Sequence, residues 1–314
     1  MNGLEEKHVL VTGGSGYLGK TLVEKLLSEG GARRVTTLDR SFLDYRLVKA
    51  FGRDRIGHVR LNLSTTERPL KLPKDIDVIA HLAAYVPKKS EEDSIEDSFS
   101  TNILGTIHLL DCLESFEAIV YASTLEVYGN PIYVPIDENH PTSPKTFYGV
   151  SKLSAEKYLA VYCETNLIPL TILRFSSIYG PGERFERAIP NFIRSVSSGM
   201  PPVIFGSGAD VRDYVYLDDA ADAIVQALKL RRHGTYNIGS GRGVAVREVA
   251  EKIVKLYKKN LKPIYRASNK PSTNIILDIK RARQDLSYTP RTDLEVGLLE
   301  EIEWYESLQK TRPY

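Results

Sequence analysis

The sequence has few cysteines and no long apolar run. Its two cysteines, Cys112 and Cys163, each fall inside an apolar helical pattern, which indicates reduced core residues rather than a disulfide. No stretch approaches the roughly 18 apolar residues that span a bilayer. Residues 1–7 are polar and acidic, unlike an apolar leader. These absences predict a cytoplasmic, unprocessed protein without a membrane partner.

The sequence also lacks a charge surplus of either sign. Its 42 basic and 40 acidic residues give a net charge of +2, which leaves no basic excess for a nucleic-acid backbone. Nucleic acid is therefore an unexpected partner. With 42% apolar and 26% charged residues, the 314-residue chain has the composition of a globular protein, and we find no repeat or low-complexity tract.

What the chain does have is an alternation of short apolar runs with amphipathic stretches, which is typical of βαβ units. Strands are predicted at His8–Val11, Val35–Leu38, Val59–Leu61, Val78–Leu82, Ile119–Ser123 and Leu170–Phe175. Helices are predicted at Tyr17–Ser28, Thr101–Leu113, Phe147–Cys163, Asp219–Lys229, Arg247–Tyr257 and Leu294–Leu308. The predicted fold is α/β, a Rossmann-type doubly wound parallel sheet. It would occupy residues 1–175, with a smaller C-terminal lobe at 176–314 from which the segment around 213–240 returns to the first domain.

A glycine-rich loop, residues 12–19, follows the first predicted strand with the sequence TGGSGYLG. Gly13 would allow the tight turn, Gly16 would let backbone amides approach a pyrophosphate, and Gly19 would let the following helix pack closely. Asp39 lies twenty positions after Gly19, at the end of the second predicted strand, where a carboxylate holds the adenosine ribose. The spacing predicts NAD binding. Arg40 leaves NADP open, because an arginine there can pair with a 2′-phosphate.

Tyr148 and Lys152 lie four positions apart on a predicted helix, and therefore on one face of it. Tyrosine ionises near pH ~10, so a phenol acting as a base near pH 7 needs its anion favoured by about 3 units, or about 4 kcal/mol. The ammonium of Lys152, a hydrogen bond from Thr124 and an oxidised nicotinamide are expected to supply this shift together. The pattern predicts a catalytic phenol beside a bound dinucleotide.

These motifs belong to an ordered set along nearly the whole chain. The set comprises TGGSGYLG at 12–19, HLAA at 81–84, NILGT at 102–106, YASTLEVYG at 121–129, YGVSK at 148–152, RFSSIYGPG at 174–182, FGSGADVRDYVYLDD at 205–219 and NIGSG at 237–241. In it the chain resembles the extended short-chain dehydrogenase/reductase family, in the branch of nucleotide-sugar epimerases and dehydratases. Residues 128–144 are most similar to those of UDP-glucose 4-epimerases.

The resemblance implies roles for individual residues. Tyr148 would act as base and acid, Lys152 would hold the nicotinamide ribose, and Thr124 would bond the sugar hydroxyl. The implied cofactor contacts are Gly13, Gly16, Tyr17, Leu18, Gly19, Asp39, Arg40, Asn62, Leu63, Leu82, Ala83, Ala84, Asn102, Tyr148 and Lys152. The implied substrate contacts are Lys88, Thr124, Glu126, Ser177, Arg212 and Arg266, with Lys270 as an alternative to Arg266. No metal is implied.

Two departures from the family pattern narrow the expected function. Leu125 stands where dehydratase relatives have an aspartic acid, and it cannot donate the proton that elimination of water needs. Ser177 stands where many relatives have an asparagine that touches the substrate diphosphate, which leaves the substrate open. The expected function is an NAD-dependent 4-epimerase of a nucleoside-diphosphate sugar. The alternatives are a 4-keto-sugar reductase, a nucleotide-sugar decarboxylase or, less expected, a non-catalytic dinucleotide-binding protein.

The resemblance further implies a homodimer. Relatives pair through the helices that correspond to Thr101–Leu113 and Phe147–Cys163. The outer faces of these helices are expected to carry Leu104, His108, Tyr158 and Tyr162.

Overall fold

A parallel sheet of seven strands forms the centre of the computed structural model, which describes residues 3–65, 72–89, 92–183, 185–268 and 272–311. The strands of the chain are β1 (His8–Thr12), β2 (Arg34–Asp39), β3 (Ile56–Arg60), β4 (Val78–His81), β5 (Ala118–Thr124), β6 (Leu170–Phe175), β7 (Ser177–Tyr179), β8 (Val203–Phe205), β9 (Val211–Tyr216), β10 (Gly234–Ile238), β11 (Gly243–Ala245) and β12 (Ile264–Arg266). The seven-stranded sheet has the order β3-β2-β1-β4-β5-β6-β10, and every neighbouring pair in it is parallel. The predicted doubly wound fold is thus confirmed.

Helices cover both faces of this sheet. The helices of the described chain are α1 (Tyr17–Ser28), α2 (Tyr45–Phe51), α3 (Ile95–Asp97), α4 (Gly105–Asp111), α5 (Phe147–Thr165), α6 (Ala188–Ser197), α7 (Leu217–Leu230), α8 (Val246–Leu256), α9 (Lys280–Leu286) and α10 (Leu294–Thr311). Every residue of β1 and of β6 is buried, because helices shield both sides of the sheet. One apolar core lies on the side of α1 and α7, and a second lies on the side of α4 and α5.

Helix α1 shows how the sequence produces these layers. Leu22, Val23, Leu26 and Leu27 recur at helical spacing and are buried against the sheet and α7. The helix stops where the chain turns back toward β2 at Gly31, whose φ of +73° is a left-handed value that favours glycine. At its other end, α1 begins at Tyr17, in the last part of the glycine-rich loop.

The predicted helix Thr101–Leu113 differs from the observed structure. A π-helical segment, Ser98–Leu104, precedes α4, which ends at Asp111. Because the hydrogen bonds of a π-helix span one residue more than those of an α-helix, the apolar 3.6-residue period does not reveal it. The third strand also differs, since it covers Ile56–Arg60 rather than Val59–Leu61.

A second, smaller group of elements follows β6. Strands β7, β9 and β11 form one small sheet and β8 pairs with β12. The buried apolar faces of α6, α8 and α10 pack together over Tyr179, Tyr214 and Tyr216. In the chain, β10 lies between β9 and β11, and it returns to the large sheet, where it pairs with β6. Within the ranges given above, no helix is both long and apolar enough to cross a membrane.

Candidate active site

The glycine-rich loop is a tight turn between β1 and α1. Gly13 has φ +72°, and a Cβ added there would lie 2.8 Å from the backbone nitrogen of Ala83. A Cβ at Gly19 would lie 2.1 Å from the oxygen of Gly13, so this glycine lets the helix close against the loop itself. At Gly16 an added Cβ would approach only the oxygen of Gly13 among the described atoms. The loop is therefore closed on the sheet side and open beside Gly16.

A cavity of about 520 Å³ runs from this loop across the carboxyl ends of the central strands. Its lining includes most of the residues predicted for the cofactor, for catalysis and for the substrate, namely Gly13, Gly16, Tyr17, Leu18, Gly19, Asp39, Arg40, Asn62, Leu63, Leu82, Ala83, Ala84, Lys88, Thr124, Tyr148 and Lys152. The carboxyl ends of parallel strands are where ligands bind in open α/β sheets. The sequence therefore identified both ends of this cavity.

The end of the cavity at β2 carries the acidic residue predicted from spacing. The carboxylate of Asp39 accepts one hydrogen bond from the amide of Ser15, at 3.0 Å, and another from the amide of Ser41, at 2.8 Å. Asp39 thus ties the glycine-rich loop to the strand end while it lines the cavity. The side chain of its neighbour Arg40 is exposed at the same wall, and Asn62 accepts hydrogen bonds from Ser64.

Thr12, at the end of β1, fixes the backbone that forms the wall in the middle of the cavity. Its hydroxyl oxygen accepts hydrogen bonds from the amides of Leu82 and Ala83, at 3.2 and 3.0 Å. The same hydroxyl contacts Nδ1 of the buried His81 at 2.7 Å, and Nε2 of His81 contacts the hydroxyl of Thr106 at 2.9 Å. These bonds fix the turn after β4 against the first strand.

Asn102 lies behind the cavity wall rather than on it. Its Oδ1 accepts a hydrogen bond from the amide of Tyr85 at 2.7 Å. Its Nδ2 donates to the oxygen of Tyr85 and to the hydroxyl of Ser151, and that hydroxyl donates to the backbone oxygen of Tyr148. The resemblance implies a cofactor contact for Asn102, whereas its side chain is absent from the described cavity wall and joins the π-helical segment to the start of α5.

The phenol of Tyr148 lies buried at the other end of the cavity from Asp39, beside Thr124. Burial, and then the negative charge of Glu126, raises the pKa of Tyr148 above its ordinary value, while the charge of Arg187 and the hydrogen bond with Thr124 lower it. The net direction in the protein chain itself is upward, opposite to the expected shift. The hydroxyl of Thr124 also accepts a hydrogen bond from the amide of Glu126, at 3.3 Å.

Lys152 is 2% exposed, and its ammonium lies over the ring of Tyr121, 4.2 Å from the centroid. Burial, partly opposed by the charge of Glu156, lowers the pKa of Lys152 to about 7. Lys152 was expected to favour the phenolate of Tyr148 together with Thr124 and an oxidised nicotinamide, and in the protein chain itself the lysine is strongly affected by burial.

Arg187 is a cavity residue that the sequence did not reveal. It directly precedes α6, its side chain is exposed, and its guanidinium lies 4.7 Å from the ring centroid of Phe185, which also lines the cavity. Its charge lowers the pKa of Tyr148 and of Glu183, so Arg187 lies within electrostatic reach of both groups. No spacing relates Arg187 to the glycine-rich loop or to Tyr148, so only the fold brings it here.

Four predicted substrate residues are absent from the described wall of the cavity. Glu126 accepts a hydrogen bond from Thr146 at 2.6 Å, and Ser177 lies between two wall residues, Ser176 and Ile178. Arg212 on β9 donates to the backbone oxygen of Thr273 at 2.7 Å, and Arg266 is exposed on β12. Lys270 lies outside the described residues.

The residues that line the cavity fit a dinucleotide. The open side of Gly16 at the N-terminus of α1 suits a pyrophosphate, because unpaired amides and the helix dipole favour an anion there. Asp39 suits the two hydroxyls of a ribose, and the wall of Leu82, Ala83 and Ala84 leads from there to Tyr148. A sugar alcohol bound against Tyr148 and Thr124 would have a proton acceptor at its hydroxyl.

Comparison with known proteins agrees with this geometry. Residues 9–239 match the model of the NAD dependent epimerase/dehydratase family. A putative UDP-glucose 4-epimerase of Methanocaldococcus jannaschii is 32% identical over 96% of this chain and 100% of that protein.

Two solved structures share the fold over almost the whole length. UDP-glucose 4-epimerase of Thermotoga maritima, solved with UDP-glucose, has a TM-score of 0.82 at 26% identity and covers 96% of this chain and 99% of its own. UDP-glucuronic acid 4-epimerase of Bacillus cereus, solved with UDP-glucuronic acid and NAD, has a TM-score of 0.83 at 28% identity with the same coverage. The chain belongs to the NAD-dependent epimerase/dehydratase family.

Proposed function

We propose that the protein is a 4-epimerase of a nucleoside-diphosphate sugar, with UDP as the expected nucleotide. The observation that carries the proposal is the position of Tyr148. Its phenol lines one end of a cavity together with Thr124, and the residues at the other end of that cavity suit a dinucleotide. The named activities of the similar proteins support the same reaction class.

In this reaction Tyr148 takes the proton of the sugar 4-hydroxyl while Thr124 holds that hydroxyl in line. When bound, NAD⁺ supplies the acceptor for the hydrogen at C4 and later returns it. The 4-keto sugar then presents its opposite face, and Tyr148 gives the proton back to the new alcohol oxygen. Because the two transfers cancel, no external reductant is consumed.

The absence of an acid at position 125 argues against dehydration. Leu125 follows Thr124 in a short 3₁₀ turn, Leu125–Val127, and packs against the first apolar core. Its neighbour Glu126 is bonded to Thr146. Elimination of water requires a proton donor at the leaving hydroxyl, and the leucine supplies none.

A one-way reductase is the second candidate, and Arg40 is the residue that favours it. Its side chain is exposed on the cavity wall beside Asp39, where a cation can pair with the 2′-phosphate of NADP. A reductase would consume the reduced cofactor in proportion to product. An epimerase would not.

We place the nucleotide on the second lobe. Arg212 uses one amino group for the backbone oxygens of Val211 and Thr273, so other N–H groups of its fork would serve the diphosphate. Arg266 and Ser177 are assigned to the same region. Lys88 and Glu126 are assigned to the sugar end, near Tyr148.

We also infer that a second copy of the chain pairs through α5. Val150, Tyr158 and Val161 are each about half exposed or more on this helix, an apolar face that pairing would bury. Two of the expected seam residues need correction. His108 is buried and contacts the backbone oxygen of Leu63 at 2.9 Å, and Tyr162 is stacked on Phe116. Sedimentation equilibrium of the purified protein tests the pairing, and a monomer at micromolar concentration would exclude it.

The reaction is tested directly with purified protein and UDP-glucose, UDP-N-acetylglucosamine or UDP-glucuronic acid, without added reductant. Proton NMR of the products should show the C4 epimer of at least one sugar. The Tyr148→Phe variant should lose about 10³-fold in rate, as expected for a lost acid–base group. If none of the sugars is converted although NAD is found bound by mass spectrometry, the proposal fails. Stoichiometric loss of NADPH with a 4-keto sugar would favour the reductase instead.

A further inference from the structure

The surroundings of Lys152 are largely uncharged. Its ammonium faces the ring of Tyr121 on β5, and that ring lies 5.4 Å from the ring of His81 on β4. Burial, together with the charge of Lys152, lowers the pKa of His81 to about 3, so this histidine is neutral near pH 7. Neither ring offers Lys152 a negative charge.

Glu156 lies one helical turn after Lys152 on the same face of α5. It is 3% exposed, and its carboxylate receives two hydrogen bonds from the guanidinium of Arg174 on β6, at 3.0 and 2.7 Å. The hydroxyl of Ser123, the residue before Thr124, also donates to it. Arg174 in turn lies 4.9 Å from the ring centroid of Tyr128. The carboxylate is therefore held by side chains of two strands, β5 and β6.

Glu156 and Arg174 form a buried ion pair, with 2.7 Å between the guanidinium and the carboxylate. A buried carboxylate that receives a bidentate guanidinium and a hydroxyl hydrogen bond keeps its charge in a medium of low polarity. A charge so close to a buried ammonium acts through a medium that screens it weakly. Burial favours the neutral amine of Lys152, and Glu156 opposes that effect.

We propose that Glu156 is a positioning residue of the active site, whose fixed carboxylate, held by Arg174 and Ser123, keeps Lys152 in its ammonium form. The ammonium is the form that can donate hydrogen bonds to a ribose and favour the phenolate of Tyr148. Glu156 does not face the cavity and touches no substrate. It acts through Lys152, and so it sets the upper pH limit at which the site can work.

The direction of the effect follows from the sign of the charge. With Glu156→Gln the pKa of Lys152 falls further below its ordinary value, by about one unit or more. The ammonium is then lost at lower pH, and the alkaline limb of the activity profile moves down by the same amount. A merely structural role would lower activity equally at every pH.

The primary test is the titration of Lys152 in the full-length protein labelled with 13Cε-lysine. Its NMR resonance is identified by its loss in Lys152→Met. Glu156→Gln should titrate about one pH unit or more below wild type, and Glu156→Asp, which keeps the charge, should lie close to wild type. If Glu156→Gln does not fold, the double variant Glu156→Gln/Arg174→Met removes both buried charges and should still show the downward shift. An unchanged titration of Lys152 in the folded Gln variant, or in the double variant, overturns the proposal.

Only the kinetic consequence rests on the proposed function. If no sugar nucleotide is epimerised but the Lys152 titration moves as expected, the proposed function fails and the role of Glu156 stands. If epimerisation is found but the titration does not move, the reverse holds.

Discussion

Glu183, in the loop after β7, and Glu301, on α10, are buried within electrostatic reach of one another, at 5% and 2% exposure. One oxygen of each carboxyl finds no hydrogen-bond partner among the described residues. Burial raises the pKa of Glu183 to about 7, and burial with the charge of Glu183 raises the pKa of Glu301 to about 9. Burial, and then the negative charges of Glu183 and Glu301, raise the pKa of Tyr17 in the glycine-rich loop. A proton is therefore held where the second lobe meets the cofactor end of the cavity.

This pair predicts a loss of stability in alkali. Both carboxyls hold a proton more tightly in the folded chain than in the unfolded one, so their stabilising effect is complete below about pH 4.5 and is lost as pH rises through 7 and then 9. Thermal unfolding followed by circular dichroism from pH 5 to 9.5 should show a falling Tm. Glu301→Gln, which is neutral at every pH, should flatten the fall and raise Tm at pH 9 by about 3 °C. Parallel curves for the two proteins would contradict this.

Replacing Asn102 should destabilise the fold, because its amide is the junction between the π-helical segment and α5. Asn102→Ala leaves the buried amide of Tyr85 without its acceptor and removes a donor from Ser151. We expect a loss of about 3 kcal/mol in the free energy of unfolding, measured by urea titration. Ser151→Ala is the control and should cost only about 1 kcal/mol, since Asn102 keeps its bonds to Tyr85. Equal costs for the two variants would show that the amide is not the junction.

Patterns among residues close in sequence predicted most of the fold and about half of the site. The glycine-rich loop, Asp39, and the pair Tyr148 and Lys152 depend on local spacing along strands and helices, and all of them line the cavity. The parallel sheet follows from the alternation of buried strands with amphipathic helices. Each of these patterns is contained within a short segment of the sequence.

What could not be predicted depends on contacts between distant segments. Arg187 reaches the cavity only because the loop after β7 folds back toward Tyr148. The upward direction of the pKa of Tyr148 depends on its burial and on Glu126, and neither can be read from a spacing. The hydrogen bond from Arg212 to the backbone oxygen of Thr273, sixty-one positions away, likewise depends on the fold. The local hydrophobic period of the sequence gives no information on which distant segments come into contact.

Arg187 should tune the acidity of the catalytic phenol. Its positive charge lowers the pKa of Tyr148, so Arg187→Gln should raise that pKa and move the acid limb of the pH profile of kcat/KM upward. At pH 7 the rate should fall up to about tenfold, which corresponds to about one pKa unit. Arg187→Lys keeps the charge and should leave the limb near its wild-type position. A Gln variant with the wild-type acid limb would show that the charge does not act on Tyr148.

Asp39 should account for the choice of NAD over NADP. Its carboxylate faces the cavity at the end of β2, where it would bond the ribose hydroxyls of NAD and repel the 2′-phosphate of NADP. Asp39→Asn removes the negative charge but retains an acceptor oxygen for the amides of Ser15 and Ser41. Calorimetric titration should show the affinity for NADP rising about tenfold relative to NAD, a change of about 1.4 kcal/mol in the binding difference. Adding Arg40→Gln to this variant should cancel much of the gain, since the arginine is then the cation available to the phosphate. An unchanged ratio of affinities in Asp39→Asn would assign the discrimination to another part of the cavity.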